Sequence, residues 1–271
     1  MMQITPVVKQ LLIINILFFV GAQFVPMADD LLALHYPESN HFRVWQLITH
    51  MFMHGGMGHI FFNMFALYSF GSALESFWGG KKFLFFYFSC GLGAALLQIG
   101  FNYYELQQQL SSVSYLGLSP DTLHQVLNVS FNDDTSYRGD LFQSAVQPIL
   151  EGAGKWNSIN SESFKGLFDA AIQINSKMVG ASGAIYGLLV AFAFMFPNAE
   201  LALMFIPVPV KAKYFVPGLL AIDLFLGFKG SSLFGSGGTG IAHFAHLGGA
   251  LVGFVMMWYW KKNSFNNKRW N

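Results

Sequence analysis

The sequence predicts an all-α polytopic membrane protein: a bundle of six transmembrane helices with a helical extramembrane insert between helices 3 and 4. Three observations favour this class. Hydrophobic residues make up 54% of the 271 residues. Charged residues make up only 11%, less than half of the share of about 25% that is usual in soluble domains. The charges are also unevenly placed and leave long uncharged stretches, as segments in lipid require.

Six apolar segments have the composition of spans, for which about 20 mostly apolar residues are needed. The first has no clearly basic leading region and no A-x-A cleavage site, so we interpret it as a retained span and not as a cleaved signal. The fifth is short. The six predicted spans lie near residues 8–24, 58–77, 83–101, 180–196, 215–228 and 242–260.

The spans and the insert divide the chain into four parts. Residues 1–101 hold transmembrane helices 1–3, residues 102–177 form the insert, residues 178–262 hold helices 4–6, and residues 263–271 form a basic tail. The insert carries eight acidic and four basic residues. Ser119-Pro120-Asp121 is typical of a helix start, and mixed helical patterns follow at 137–150 and 163–174. We therefore expect a small, mostly helical outer subdomain.

Basic residues set the orientation. If the spans alternate, the basic clusters fall on one side of the membrane, whereas the opposite loops and the insert are acidic. The positive-inside rule then places both termini in the cytoplasm, and with a bacterial host assumed the membrane is the inner (plasma) membrane. The net charge of +1 gives no indication of a nucleic-acid partner. The clusters are Lys81 and Lys82, Lys211 and Lys213, and Lys261, Lys262, Lys268 and Arg269.

Polar side chains inside spans are costly and usually face a bundle interior or a cavity. The second, fourth and sixth spans all run inward from the outer side, and each carries polar residues near its outer end. The sequence therefore predicts one shared site at that depth, in the outer half of the membrane. These residues are His59 and Asn63 in the second span, Ser182 and Tyr186 in the fourth, and His243 and His246 in the sixth.

Small residues bring the fourth and sixth spans close together. Gly183 and Gly187 form a seam on one, and Gly249 and Gly253 follow His246 on the other. Glycines at this spacing let two helix backbones approach closely. We therefore expect Ser182 Oγ within hydrogen-bonding distance of His246.

This arrangement suits acyl transfer. A serine hydroxyl becomes a nucleophile when a base takes its proton, and neutral imidazole is suited to that role. His59, Asn63 and the N–H of Ser182 are candidate donors to the oxyanion of a tetrahedral intermediate. The sequence places no carboxylate to orient His246, so it predicts a Ser182–His246 dyad, with Asp223 of the fifth span as a structural or gating residue and Tyr186 as a wall that stacks near His246.

Two other interpretations concern the histidines. His243 could be the base, but it lies nearer the interface and lacks the glycines that follow His246. The set His50, His54, His59 and His243 could bind a metal, but it has no carboxylate or cysteine ligand at a fixed spacing. We therefore expect neither a metal nor a cofactor. The single cysteine, Cys90, excludes an intrachain disulfide and is interpreted as a buried core residue.

The motifs that carry these residues resemble those of the rhomboid intramembrane serine proteases. The family pattern is H-x-x-x-N in the second span, G-x-S-G in the fourth and a histidine with spaced glycines in the sixth. Here it corresponds to His59–Asn63, Gly180–Gly183 and Ala245–Gly249. The stretch 45–75 is also similar to the family's first loop and second span, and the resemblance covers the six-span core.

The resemblance implies a serine endopeptidase that cleaves transmembrane proteins in the lipid bilayer near its outer face. The substrate helix must unwind locally, and water must reach Ser182 through an outward-open cavity. Two features depart from the family: Trp45-Gln46 stands where Trp-Arg is common, and the insert is much longer than in minimal bacterial members, so that it could screen substrates. Residues 235–240, rich in glycine, are either a mobile cap or a plain flexible loop.

The sequence argues against two other functions. A catalytically inactive relative that binds and escorts membrane proteins would lack Ser or His, and this chain has both. A small transporter would show inverted repeats and broken helix pairs at the midplane, and the sequence shows no evident repeat.

Overall fold

Helices account for most of the chain in the computed structural model, which describes residues 3–133, 136–203, 206–229 and 241–264. In chain order the α-helices are α1 (Pro6–Ala22), α2 (Ala28–Leu32), α3 (Gln46–Thr49), α4 (Met57–Ala66), α5 (Ser72–Trp78), α6 (Gly80–Ser111), α7 (Pro120–Leu127), α8 (Gly139–Gly152), α9 (Ser161–Asn175), α10 (Ser182–Met195), α11 (Ala212–Lys229) and α12 (Ile241–Ser264). A π-helical segment, Leu67–Gly71, joins α4 to α5 without a break.

Short elements complete the described chain. Three 3₁₀ turns cover His50–Phe52, Ser114–Leu116 and Trp156–Ser158, and the strands are β1 (Leu34–His35), β2 (Lys177–Met178), β3 (Glu200–Leu203) and β4 (Ile206–Lys211). Strands β3 and β4 pair antiparallel, with Glu200 opposite Lys211. This hairpin lies between α10 and α11, and no sequence pattern predicts it.

The chain divides into two compact units. The first comprises Met1–Ala33, Trp45–Gln98 and Met178–Asn271, and the second comprises Leu34–Val44 and Ile99–Lys177. The predicted insert, 102–177, lies within the second unit. The six predicted spans fall on α1, on the run from α4 to α5, and on α6, α10, α11 and α12, all of which reach into the first unit.

The prediction that these six segments are helical is confirmed, and the all-α class with it. By length and composition, α6 is the one helix of the described residues that is long and apolar enough to cross a membrane, while α1 and α10 are shorter apolar helices. Helices of the first unit also leave large apolar side chains exposed, including Leu17, Phe85 and Phe254. Exposed apolar surface of this kind suits lipid contact.

Glycines determine how closely α6, α10 and α12 pack. A Cβ built on Gly249 of α12 would lie 1.8 Å from the carbonyl oxygen of Gly183 in α10. A Cβ on Gly253 would lie 2.8 Å from Gly187 Cα, and one on Gly187 would lie 2.3 Å from Cys90 Sγ of α6. The backbones of α10 and α12 therefore touch, as the glycine spacing predicted, because no larger side chain fits between them.

Glu75 ties the start of α1 to α5. This carboxylate is buried, and its oxygens accept from the backbone N–H groups of Val7 (3.0 Å) and Val8 (2.9 Å) and from the hydroxyl of Thr5. The first N–H groups of a helix lack intrahelical acceptors, and negative charge is favoured at that end. A buried acid near the end of the second predicted span is thus explained as a cap for the first helix.

The second unit has a hydrophobic core of its own. Phe131, Phe142 and Phe168 meet at ring-centroid distances of 5.0–5.6 Å, and aliphatic side chains of α7, α8 and α9 surround them. Ser119 caps α7 by accepting from Thr122 N, which confirms the predicted helix start. Asn160 and Ser163 form a capping box at the start of α9. The described residues of 102–177 are mostly helical, and their role as an extramembrane insert stays a prediction.

Candidate active site

Ser182 is the first residue of α10, and the chain before it has an unusual backbone. Gly180 has a φ of +121°, a conformation that glycine adopts readily and other residues rarely adopt. Its N–H donates to the carbonyl oxygen of His50 at 2.9 Å. Because Ser182 begins the helix, its own N–H has no acceptor within α10, and the helix end favours negative charge.

Ser182 and His246 lie within hydrogen-bonding distance of each other. The distance from Ser182 Oγ to His246 Nε2 is 2.9 Å. The serine lies at the start of α10 and the histidine near the start of α12, and the glycine contacts between the two helices set this distance. The imidazole keeps 17% of its side chain exposed, so it lies at the edge of the packed helices and not deep within them.

Tyr186 forms one wall beside the imidazole. The rings of Tyr186 and His246 stack with centroids 4.1 Å apart and planes 10° apart. Tyr186 lies one turn after Ser182 on the same face of α10. The prediction that it stacks near His246 is confirmed, and the contact restricts rotation of the imidazole.

His59 and Asn63 of α4 lie next to Gly180. A Cβ built on Gly180 would lie 2.7 Å from His59 Nε2 and 3.6 Å from Asn63 Nδ2. Asn63 is buried, and its Nδ2 has no hydrogen-bond partner among the described residues. Since buried donors are almost always paired, this amide is a candidate for binding an acceptor that the resting protein does not supply. His59 Nδ1 accepts a long contact, 3.4 Å, from Gly55 N.

A small cavity adjoins Ser182. Its volume is about 30 Å³, and its lining includes His50, Gly180, Ser182, Gly183 and Ala245. A water needs roughly 10–15 Å³ of such volume and polar partners, so one or two waters fit beside the serine.

The prediction that no carboxylate is placed to orient His246 is wrong. Asp223 of α11 is buried, with 3% of the residue exposed. Its Oδ2 lies 3.2 Å from His246 Nδ1, and its Oδ1 is hydrogen-bonded to His243 Nδ1. The sequence showed a buried acid in the fifth predicted span but not its partner, because spacing within one helix does not show how α11 packs on α12.

The four histidines considered above as an alternative metal site do not form a group with metal-ligand spacing among the described residues. His54 and His59 lie edge to face at 5.1 Å between centroids, but among the described residues the group with metal-ligand spacing is Asp223, His243 and His246, whose ligand atoms lie within 4.8 Å of one another. A carboxylate with two imidazoles is a donor set that zinc accepts. In this protein hydrogen bonds already occupy those atoms, and the absence of a metal stays a prediction. The predicted cap, 235–240, lies outside the described residues.

A comparison with protein families identifies the family to which this chain belongs. The family model of the rhomboid domain matches residues 41–120 and 158–263, which is more than half of the chain. The protein therefore belongs to the rhomboid family, as its motifs indicated, and it is a membrane protein of that family. The unmatched stretch between the two segments, 121–157, falls within the predicted insert.

Three curated relatives agree with this assignment. An uncharacterized mitochondrial rhomboid protein of Schizosaccharomyces pombe is 26% identical over 82% of this chain and 53% of its own length. The mitochondrial rhomboid protein 1 of Saccharomyces cerevisiae is 31% identical over 34% of this chain and 25% of its own length. The rhomboid protease GluP of Bacillus subtilis is 35% identical over 22% of this chain and 12% of its own length.

The relatives also bear on length and location. The chain spans about half the length of the S. pombe relative and smaller shares of the other two. Two of the three are named as mitochondrial. These names conflict with the prediction of a bacterial membrane, whereas the prediction of an integral membrane protein stands.

Proposed function

We propose that this protein is an intramembrane serine endopeptidase that cleaves transmembrane protein substrates by an acyl-enzyme mechanism. The observation that carries the proposal is the 2.9 Å contact between Ser182 Oγ and His246 Nε2. It joins a nucleophile at a helix start to a base held by close helix packing. Membership of a family that includes a named protease supports it.

The first half of the reaction forms the acyl-enzyme. Ser182 Oγ attacks the carbonyl carbon of the scissile bond, and its proton passes to His246 Nε2. The tetrahedral intermediate then collapses, the C–N bond breaks, and the leaving amine takes the proton from His246. The carboxyl side of the substrate bond remains esterified to Ser182.

The second half restores the enzyme. A water attacks the ester carbon while His246 takes its proton, and collapse of the second intermediate returns that proton to Ser182 Oγ. The cavity beside Ser182 has room for such a water. The bilayer supplies little water at this depth, so this cavity beside Ser182 supports the hydrolytic step.

We propose three donors for the oxyanion. They are the N–H of Ser182 at the helix start, the Nδ2 of Asn63 and the imidazole of His59, which both lie beside Gly180. Asn63 Nδ2 has no hydrogen-bond partner within the part of the chain that the structure describes. This supports the role, because an oxyanion hole is a set of donors prepared for charge that develops later. Each such donor is worth about 2.7–4 kcal/mol of transition-state stabilisation.

The proposed topology has six spans with both termini on the basic side of the membrane. In that orientation the starts of α4, α10 and α12 lie toward the opposite, outer face, and cleavage occurs there. The substrate helix unwinds locally to present a carbonyl to Ser182. The insert, 102–177, directly precedes α10 in the chain, and in this proposal it screens which substrates reach the serine.

The test is cleavage of a transmembrane model substrate by the protein reconstituted in liposomes. We expect the parent to cut and Ser182→Ala and His246→Ala to be inactive while melting at the temperature of the parent. Ser76→Ala, a helix serine whose hydroxyl bonds to its own backbone at Ser72 O, and His124→Ala, on the exposed side of α7, are matched controls that should cut normally.

Cleavage by the Ser182→Ala variant would refute the proposed nucleophile. If the folded parent cuts no transmembrane substrate and reacts with no fluorophosphonate probe, the proposal fails. The protein would then be a catalytically inactive relative that binds and escorts membrane proteins.

A further inference from the structure

We propose, on the basis of the proposed hydrolytic function, that Asp223 is a positioning residue that holds His246 in the tautomer able to accept the proton of Ser182. The site is then a charged triad built across three helices, α10, α11 and α12, and not an isolated Ser–His dyad.

The geometry has the order that a triad needs. Ser182 Oγ contacts one nitrogen of the imidazole, Nε2, at 2.9 Å, and Asp223 Oδ2 contacts the other, Nδ1, at 3.2 Å. An ionised carboxylate can only accept hydrogen bonds. The proton therefore lies on Nδ1, and Nε2 is left with the lone pair that faces the serine hydroxyl.

His243 fixes the carboxylate itself. Its Nδ1 is hydrogen-bonded to Asp223 Oδ1, the oxygen that His246 does not use, and the two imidazole planes are nearly perpendicular at 88°. Both oxygens of the carboxylate are thus engaged, and each histidine contacts one of them. His243 is not placed as the base, because its contact runs to Asp223 and it lies one turn before His246.

The burial of Asp223 indicates that this acid has a partner or a function. A carboxylate in a membrane span is expensive unless it is paired or serves a function, and an unpaired buried charge is costly in any protein. Only 3% of Asp223 is exposed. When His246 takes the serine proton it becomes a cation, and a carboxylate 3.2 Å from its Nδ1 stabilises that cation in surroundings with little water.

The substitution Asp223→Asn tests whether the carboxylate holds the tautomer of His246. An amide has one accepting oxygen and one donating nitrogen, so it cannot accept from both imidazoles. Where it donates to His246 Nδ1, the proton moves to Nε2 and the ring no longer accepts from Ser182. In the Ser-His-Asp template such a change lowers kcat by about 10⁴, so we expect Asp223→Asn to lose at least about 100-fold here, with KM changed less than about threefold.

The matched variants separate positioning from packing. Asp223→Glu keeps a carboxylate and should recover at least about tenfold of the lost kcat. In the His246→Ala background Asp223→Asn should not slow the residual labelling by a fluorophosphonate probe any further, because residues that act as one unit are not additive. Asp121→Asn, at an exposed position of α7, is the control for an aspartate exchange that leaves kcat at the parent value.

Each outcome decides the question. An Asp223→Asn variant with the kcat of the parent overturns the inference and leaves the proposed protease as a simple dyad. If Asp223→Asn and Asp223→Glu lose kcat equally and both melt at a lower temperature, the inference is overturned in favour of a packing role for Asp223. Inhibition of the parent by a chelator would make the three residues a metal site. A parent without any activity rejects the proposed function itself.

Discussion

Removal of the Asn63 amide should lower the catalytic rate without lowering the stability of the protein. We expect Asn63→Ala to lower kcat by about 10²–10³ with little change in KM, because the oxyanion exists only after attack. Among the described residues its Nδ2 has no hydrogen-bond partner, so the substitution should leave the melting temperature unchanged. Steady-state kinetics and a thermal scan in detergent measure both quantities.

The control for this prediction is Asn157→Ala, an exposed asparagine of the second unit. An Asn63→Ala variant that keeps the kcat of the parent, or that raises KM alone, would remove Asn63 from the oxyanion site.

Two buried histidines of the first loop make stability depend on pH. Burial lowers the pKa of His50 to about 4 and that of His54 to about 4, with the neighbouring His59 as a second cause for His54. Unfolded histidine takes up a proton near pH 6.5, so between about pH 6.5 and 4 the unfolded chain binds more protons. The free energy of unfolding therefore falls as the pH falls through this window.

We expect the melting temperature in detergent to drop between about pH 7.5 and about pH 5, and His54→Gln to reduce the drop. His124→Gln changes an exposed histidine and should leave the slope as it is. Equal slopes in the parent and in His54→Gln would show that His54 does not contribute.

The local motifs predicted the residues of the candidate site, whose catalytic roles stay predictions, but not their full set of contacts. Ser182, His246, His59 and Asn63 could be selected because polar groups are rare in apolar spans, and glycine spacing predicted which helices approach. Asp223 was assigned a structural or gating role, since its link to His246 depends on how α11 packs on α12, and no periodicity within α11 encodes that packing.

The distance between Ser182 and His246 depends on the contact of helix α10 with helix α12. Gly249→Ala would place a methyl group 1.8 Å from Gly183 O, so the helices must separate and carry His246 away from Ser182. A misplacement of about 1 Å can cost about 100-fold in rate. We expect at least that loss in kcat, with a lower melting temperature, by kinetics and thermal scan.

Gly100→Ala is the matched control, because a Cβ on that exposed glycine of α6 meets nothing within 4 Å. It should keep the activity of the parent. Full activity of Gly249→Ala would mean that the two helices are not held together at this glycine.

The elements themselves were partly predictable. Apolar runs located all six helices of the predicted spans, and a serine followed by proline located the start of α7. The hairpin of β3 and β4 was missed, since Pro207 and Pro209 break the alternation that indicates strands. The length of α6 was also underestimated, because its last turns, from 102 to 111, are polar and belong to the second unit.

For the whole molecule, α6 should connect the two sides of the membrane. Its 32 residues extend about 48 Å at 1.5 Å per residue, longer than the hydrocarbon core of about 30 Å. We then expect Lys81, near the start of α6, and Asp121, beyond its end, on opposite sides of the membrane. Cysteines introduced as Lys81→Cys and Asp121→Cys can report this with an impermeant maleimide, because the native Cys90 is buried.

We expect Asp121→Cys to react in sealed vesicles from one side only, and Lys81→Cys and Lys261→Cys only from the other. The parent, with Cys90 alone, is the control and should stay unlabelled. Labelling of Asp121→Cys and Lys81→Cys from the same side would refute the proposed topology.

The most direct test of the account is the identity of the residue that reacts with a fluorophosphonate probe, determined by mass spectrometry of the folded protein. If Ser182 is a nucleophile activated by His246, the adduct should map to Ser182, disappear in Ser182→Ala and form far more slowly in His246→Ala. An adduct on another serine, or equal labelling of the His246→Ala variant, would contradict the account.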